Sequence, residues 1–270
     1  MEYRINNTLI RYEATGEKRR GDDSVLLKKA QDLTTGTTWQ KTGFSIEKLF
    51  DDENTYQLFQ NKTSELIRSC WRKSGLAVHA DFPLDQYHTL AKTIETHLAA
   101  VEYTKLLSVD DFPLGVSRLE ERISTICEAP LIAHNPFDNQ TIFHFRVIRP
   151  NTIDNNPLHR DVWLEDYDNC INLYIPIAGS DERSSLIIIP ESHQWPESRV
   201  ERTVAGAVIN NVRFNVPAVT AIDGAYSIVR PDPKPNEVLV FSPYLIHGGA
   251  VNFNPDKTRI SIEIRLWKKY

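Results

Sequence analysis

After Pro136 the chain changes texture, and from there onward short runs of β-branched and aromatic residues alternate with turn-forming Asn, Asp, Gly and Pro. The runs are TIFHFRVI from Thr141, HRDVW from His159, NCINLYIPI from Asn169, SLIIIP from Ser185, VRFNVPAV from Val212, YSIVRP from Tyr226, EVLVFS from Glu237 and RISIEIRLW from Arg259. Strands this short and this frequent predict a jelly-roll-like double sheet. Before them the spacing is helical. Tyr56, Phe59, Leu66, Ile67 and Cys70 mark one helix between Asp52 and Trp71, the set Tyr87 to Leu98 a second over Leu84–Leu98, and Leu119, Ile123 and Ile126 a third over Val116–Cys127. GLAVHAD, between the first two, is a short strand candidate, and Asp23–Asp32 is a further helical candidate.

The class is therefore α+β, mainly β, with helices of the N-terminal half packed on one outer face of the strand-rich half. Residues 1–65 are expected to form an N-terminal extension packed on or flanking the core. Residues 66–270 form the main domain, with its sheet strands mainly over 141–267.

Composition excludes several functions. A net charge of -5 does not fit a protein that binds by neutralising a phosphate backbone. The three cysteines, Cys70, Cys127 and Cys170, are far apart and show no CxxC spacing, so neither a disulfide framework nor a thiolate zinc site is expected. No stretch approaches the roughly 20 apolar residues that span a bilayer, and the first residues carry no apolar leader. A cytoplasmic protein acting on a small molecule, without nucleic-acid or membrane partners, is the expectation.

The chemistry is concentrated in NPLHRDVW, residues 156–163. In an extended strand residues two apart share a face, so His159 and Asp161 point one way and Arg160 the other. One imidazole and one carboxylate can then grip one metal ion. Composition alone makes one His-x-Asp unsurprising, and a second, His79-Ala80-Asp81, is present. Asp81 is better placed as the cap of the helix that follows it. His159 and Asp161 instead lie in the strand-rich half and have a third candidate ligand downstream in His247. Two histidines and one carboxylate on one face of a metal, with the other positions open, is the facial triad of non-haem Fe(II) oxygenases. The last strand alternates cleanly, with Arg259, Ser261, Glu263 and Arg265 on one face and Ile260, Ile262, Ile264 and Leu266 on the other. That polar face either meets solvent or lines a barrel, where Arg259 would fork onto a carboxylate and Ser261 would add a donor.

These residues together resemble the Fe(II)/2-oxoglutarate-dependent dioxygenases, and within them the phytanoyl-CoA dioxygenase-like family. The resemblance rests on His159-Arg160-Asp161, His247 and Arg259-Ile260-Ser261, with weaker support from IIIPESH at Ile187–His193 and WRKSGLAVHADFPLDQYHTL from Trp71. It covers about residues 65–267. Glu191 stands where that turn commonly has glycine, and Arg160 where glutamine is frequent. The resemblance implies a double-stranded β-helix, a cupin-like barrel, with Fe(II) on His159, Asp161 and His247. It further implies 2-oxoglutarate anchored by Arg259 and Ser261, and O2 as the oxidant. The expected reaction is then hydroxylation of a small-molecule metabolite with release of succinate and CO2.

Alternation extends the site less specifically. Asn172 and Tyr174 share a polar face and are candidates to hydrogen-bond co-substrate or substrate, or to form a satisfied core pair. Arg146 is a candidate for an anionic group, Trp163 for a wall of the substrate pocket, and His193 for a contact at its mouth. Two other readings stay open on the sequence: a cupin-like metal enzyme that does not use 2-oxoglutarate, and a non-catalytic β-sandwich that binds a ligand.

Overall fold

A computed structural model describes the chain except for residues 29–31, 139, 142, 153–155, 165–166 and 270. The strands are β1 (Glu2–Ile5), β2 (Thr8–Arg11), β3 (Lys18–Arg20), β4 (Phe44–Lys48), β5 (Leu131–Ile132), β6 (Phe143–Ile148), β7 (Cys170–Ala178) and β8 (Ile187–Ile188). They continue as β9 (Val200–Thr203), β10 (Ala207–Ile209), β11 (Val212–Phe214), β12 (Val219–Ile222), β13 (Glu237–Phe241), β14 (His247–Gly248) and β15 (Arg259–Lys268). The helices are α1 (Glu53–Lys73), α2 (Ile94–Lys105) and α3 (Val116–Ile126).

The large sheet runs β4-β13-β7-β15, and β5 and β6 both pair with the far edge of β15. All its pairings are antiparallel. Its outer face is apolar because side chains alternate along each strand. Ile260, Ile262, Ile264 and Leu266 of β15, Ile171, Leu173 and Ile175 of β7, and Phe143, Phe145 and Val147 of β6 form one cluster with Phe59, Ile67 and Trp71 of α1 and Leu119 and Ile123 of α3. Each such side chain contributes about 1.5–3 kcal/mol on burial, which fixes the register of β15 and so commits its other face to the interior. Opposite lie the β12-β9-β3 sheet and the β14-β8 pair. Between the layers, Tyr174, Leu239 and Phe241 from the large sheet meet Leu186, Ile188 and Leu245. The result is a double-stranded β-helix with the helices on one outer face.

Helix α1 follows from its sequence. Asp52 accepts the Thr55 amide at 2.8 Å, Glu53 and the pair Arg72 and Lys73 complement the macrodipole, and the buried side Tyr56, Phe59, Thr63, Ile67, Cys70 and Trp71 keeps helical spacing. The second expected helix is divided into a 3-10 turn at Leu84–Thr89 and α2, which begins at Ile94 because the Thr93 hydroxyl accepts the Thr96 amide. GLAVHAD forms no strand, and the described part of Asp23–Asp32 forms no helix. Asp81 is exposed, and the turn beyond it is preceded by Pro83 with no side-chain cap. YSIVRP contributes a single bridge, Val229 to Ile188, in place of a strand. The N-terminal segment supplies strands to both sheets: β4 pairs with β13, and β3 with β9. Cys70, Cys127 and Cys170 are buried free thiols. Among the described residues no helix is long and apolar enough to cross a membrane.

Candidate functional site

The segment 156–163 departs from a strand. Only His159 keeps extended pairing, through an antiparallel bridge to His247 in which each backbone amide donates to the other residue's carbonyl at 2.9 Å. The bridge sets the two rings side by side, with centroids 4.5 Å apart. Gly248 makes this approach possible: a Cβ there would lie 2.9 Å from the Pro157 carbonyl oxygen. After Arg160 the chain turns into a 3-10 helix at Asp161–Trp163, because the Asp161 amide donates to Pro243 O at 3.0 Å. Asp161 still faces the histidines.

Each imidazole is held in one tautomer. His159 Nδ1 lies 2.8 Å from Pro157 O and His247 Nδ1 lies 3.0 Å from Leu245 O. A carbonyl can only accept, so each Nδ1 carries the proton and each Nε2 presents its lone pair. Asp161 Oδ1 stands 3.3 Å from His159 Nε2 and 3.9 Å from His247 Nε2. These separations are close to the roughly 3 Å expected between neighbouring donors that each sit about 2.1 Å from one metal. His159, Asp161 and His247 are all buried. Oδ1 is also buried and has no hydrogen-bond partner, a costly condition for a carboxylate oxygen unless a cation meets it. Burial opposes ionisation of Asp161, but Arg265 and the histidines outweigh it and hold its carboxyl well below the usual range. Burial, then the neighbouring His159, pushes His247 down to about 4, so the imidazole is neutral at ordinary pH.

A cavity opens at this cluster, with Asn172, Phe241, Arg259 and Glu263 among its lining residues. Arg259 is buried on the interior face of β15, where Nη1 donates to Ser184 O at 3.2 Å. Its Nε and the buried Ser261 Oγ have no partners. An unpartnered guanidinium Nε–H and an unpartnered hydroxyl on one strand face are a cradle for a carboxylate. The two sets of orphaned atoms therefore fit a divalent metal and an anionic co-substrate respectively. Tyr174 lies behind Arg259, its ring 5.5 Å from the guanidinium and its hydroxyl hydrogen-bonded to Ser180 at 2.6 Å. Arg146 lines the cavity and donates from Nε to Glu263 Oε2 at 2.8 Å, an ion pair between the neighbouring strands β6 and β15.

Asn172 donates its amide to Asp161 Oδ2 at 2.8 Å, so it supports the carboxylate where a co-substrate contact was expected. The same Oδ2 accepts from Arg265 Nη2 at 2.9 Å and Nε at 3.2 Å. Arg265 stood on the polar face of the last strand in the sequence, but nothing local pointed to its partner. Trp163 does not wall the cavity. The 3-10 turn breaks two-residue alternation, and its indole donates to Glu197 Oε2 at 3.0 Å. His193 also lies outside the cavity lining. It is buried under Gly43 and donates from Nε2 to Gln40 O at 3.0 Å.

Arg160 is fully buried against the opposite side of the ligand segment. It pairs with Glu197 and donates to Ser192 O at 2.7 Å, while Ser192 Oγ accepts the Ile246 amide at 2.8 Å. One serine thus ties the residue between the first two candidate ligands to the residue preceding the third. Glu191, before that serine, has φ 63°, a left-handed conformation in which glycine carries no steric cost.

A double-stranded β-helix with two histidines and one carboxylate converging beside an arginine-floored cavity defines the non-haem Fe(II)- and 2-oxoglutarate-dependent oxygenases. The phytanoyl-CoA dioxygenase (PhyH) family model matches residues 36–261, and the chain belongs to that family. No curated protein matches the sequence significantly. Similar solved structures include AviO1 from Streptomyces viridochromogenes Tue57, with 15% identity, TM-score 0.49 and coverage of 91% of this chain and 97% of that one. EctD from S. alaskensis, solved with 2-oxoglutarate and 5-hydroxyectoine, has 13% identity, TM-score 0.48 and coverage of 96% and 84%. The epimerase SnoN, in complex with Fe3+, alpha ketoglutarate and nogalamycin RO, has 10% identity, TM-score 0.46 and coverage of 85% and 80%. The cofactors are Fe(II), 2-oxoglutarate and O2.

Proposed function

We propose that this oxygenase hydroxylates a small-molecule metabolite, with His159, Asp161 and His247 as the iron ligands and Arg259 and Ser261 as the anchor of the 2-oxoglutarate distal carboxylate. The observation that carries the reading is the unpartnered Asp161 Oδ1, buried between two Nε2 lone pairs. Iron and 2-oxoglutarate, when bound, supply the oxidation: one oxygen atom of O2 goes to the substrate carbon and the other to succinate, with loss of CO2.

The chain's own groups do the positioning. Pro157 and Leu245 carbonyls keep both imidazoles in the ligating tautomer. Arg259 and Ser261 offer buried donors to the anionic tail, with Tyr174 closing the floor behind them. Leu186 and Phe241 make one wall apolar and keep water from the reacting centre, while the Arg146–Glu263 pair offers polar groups to the substrate. Purified protein is to be incubated with Fe(II), 2-oxoglutarate and a metabolite panel, and succinate and product mass measured. Substrate-dependent succinate with a product heavier by one oxygen atom supports hydroxylation. A product without added oxygen would replace that outcome with another oxidation, and activity retained in His159→Ala would reject the ligand set.

A further inference from the structure

We infer that Arg265 is a positioning residue that keeps Asp161 a one-oxygen ligand, and so preserves the coordination positions that 2-oxoglutarate and O2 need. The inference rests on the proposed iron site. Asp161 is buried, and its two oxygens are treated in opposite ways: Oδ2 accepts three N–H donors, two from Arg265 and one from Asn172, and Oδ1 accepts none. The asymmetry is built into the sheet. Arg265 and Asn172 are direct partners in the β15–β7 ladder, so both side chains rise from one rung onto the interior face. The guanidinium also packs over the Tyr167 ring, 4.4 Å from its centroid.

A cation beside a ligand carboxylate works against binding a dication, so metal affinity alone does not account for Arg265. Coordination number does. A six-coordinate metal held by two histidines and one carboxylate oxygen keeps three positions, enough for a chelating 2-oxo acid and O2. If both carboxylate oxygens bound, only two would remain. With Oδ2 saturated by charge-assisted hydrogen bonds, turning it towards the metal would cost those bonds and leave a half-buried guanidinium without its carboxylate partner.

The test separates metal from co-substrate binding. Anaerobic calorimetric titrations with Fe(II), and then with 2-oxoglutarate on the iron-loaded protein, are run on wild type, Arg265→Met and Arg265→Lys. In Arg265→Met iron should bind as tightly as in wild type or more tightly. Its 2-oxoglutarate affinity should fall by about tenfold or more, the scale on which groups behind metal ligands act. Arg265→Lys, which cannot fork onto one oxygen, should also keep iron and lose co-substrate affinity, and it decides the matter if Arg265→Met does not fold. Unchanged 2-oxoglutarate affinity, or equal losses of iron and co-substrate binding, would overturn the inference. Failure of wild type to bind Fe(II) would instead reject the iron site itself.

Discussion

Glu197 is the partner whose loss the fold around the ligand segment should feel most. Its carboxylate pairs with the fully buried Arg160, accepts the Trp163 indole N–H at 3.0 Å and lies 3.9 Å from Arg202 Nε. Arg202 is itself 4.6 Å from the Trp163 ring. Burial, with the nearby Arg202 adding to it, drags Arg160 down to about 10 despite the neighbouring carboxylate, so the guanidinium is poorly solvated. Glu197→Gln keeps the shape but removes the negative charge facing two buried cations. Breaking one side of a buried pair costs about 3–5 kcal/mol, or roughly 6–15 °C in melting temperature at about 2–3 °C per kcal/mol for a chain this long. Arg160→Met should cost less, because Glu197 retains Arg202 and the indole. The double variant Arg160→Met/Glu197→Leu should recover part of the loss, giving a coupling of about 1–3 kcal/mol. Urea unfolding of the metal-free protein at neutral pH measures all three. A Glu197→Gln cost below about 1 kcal/mol, or Arg160→Met proving the more damaging single change, would refute the assignment of this cluster as a buried, charge-limited clamp.

Three further outcomes follow from the geometry. Arg259→Met should raise the KM for 2-oxoglutarate about 10- to 150-fold, the equivalent of about 1.5–3 kcal/mol for a charged hydrogen bond, with Fe(II) affinity unchanged in equilibrium titration. Burial, then Arg146, pushes His144 down to about 4. The unfolded chain therefore binds the extra proton first, and stability of the metal-free protein should fall as pH drops from about 6.5 towards 4. In urea midpoints at pH 7 and pH 5, His144→Gln should flatten that fall, leaving the shares due to His247 and His193, which burial also pushes down. Gly248→Ala should force apart the two segments that carry His159 and His247 and weaken Fe(II) binding at least several-fold, while the thermal melt of the metal-free protein shifts by about 1–3 kcal/mol of stability.

Much of the barrel was legible because its strands obey a period of two. The alternation of β15 predicted both its apolar contact with the helices and its polar interior face, and the three candidate ligands came from residue type and order alone. Local pattern failed where long-range hydrogen bonds decide. The amide of Asp161 turns the chain by bonding Pro243, more than 80 positions away, and with that turn Trp163 leaves the face it would share with Asp161 in a strand. Arg265 and Asn172 meet Asp161 only because two strands align in one register. Strand β3 is short, polar and exposed and β4 is short and only part-buried, so their pairing is set by β9 and β13 and left little trace in their own residues. His193 ends a strand-like run as expected, but the left-handed Glu191 swings it beneath Gly43 and out of the cavity.

If His159, Asp161 and His247 together hold one iron, anaerobic Fe(II) titration of wild type beside Asp161→Ala and His247→Ala will show it. One equivalent per chain in wild type, with stoichiometric binding lost in both variants while their metal-free melts stay cooperative, is the expected result. Stoichiometric Fe(II) binding retained in either variant, or absent from wild type, would contradict it.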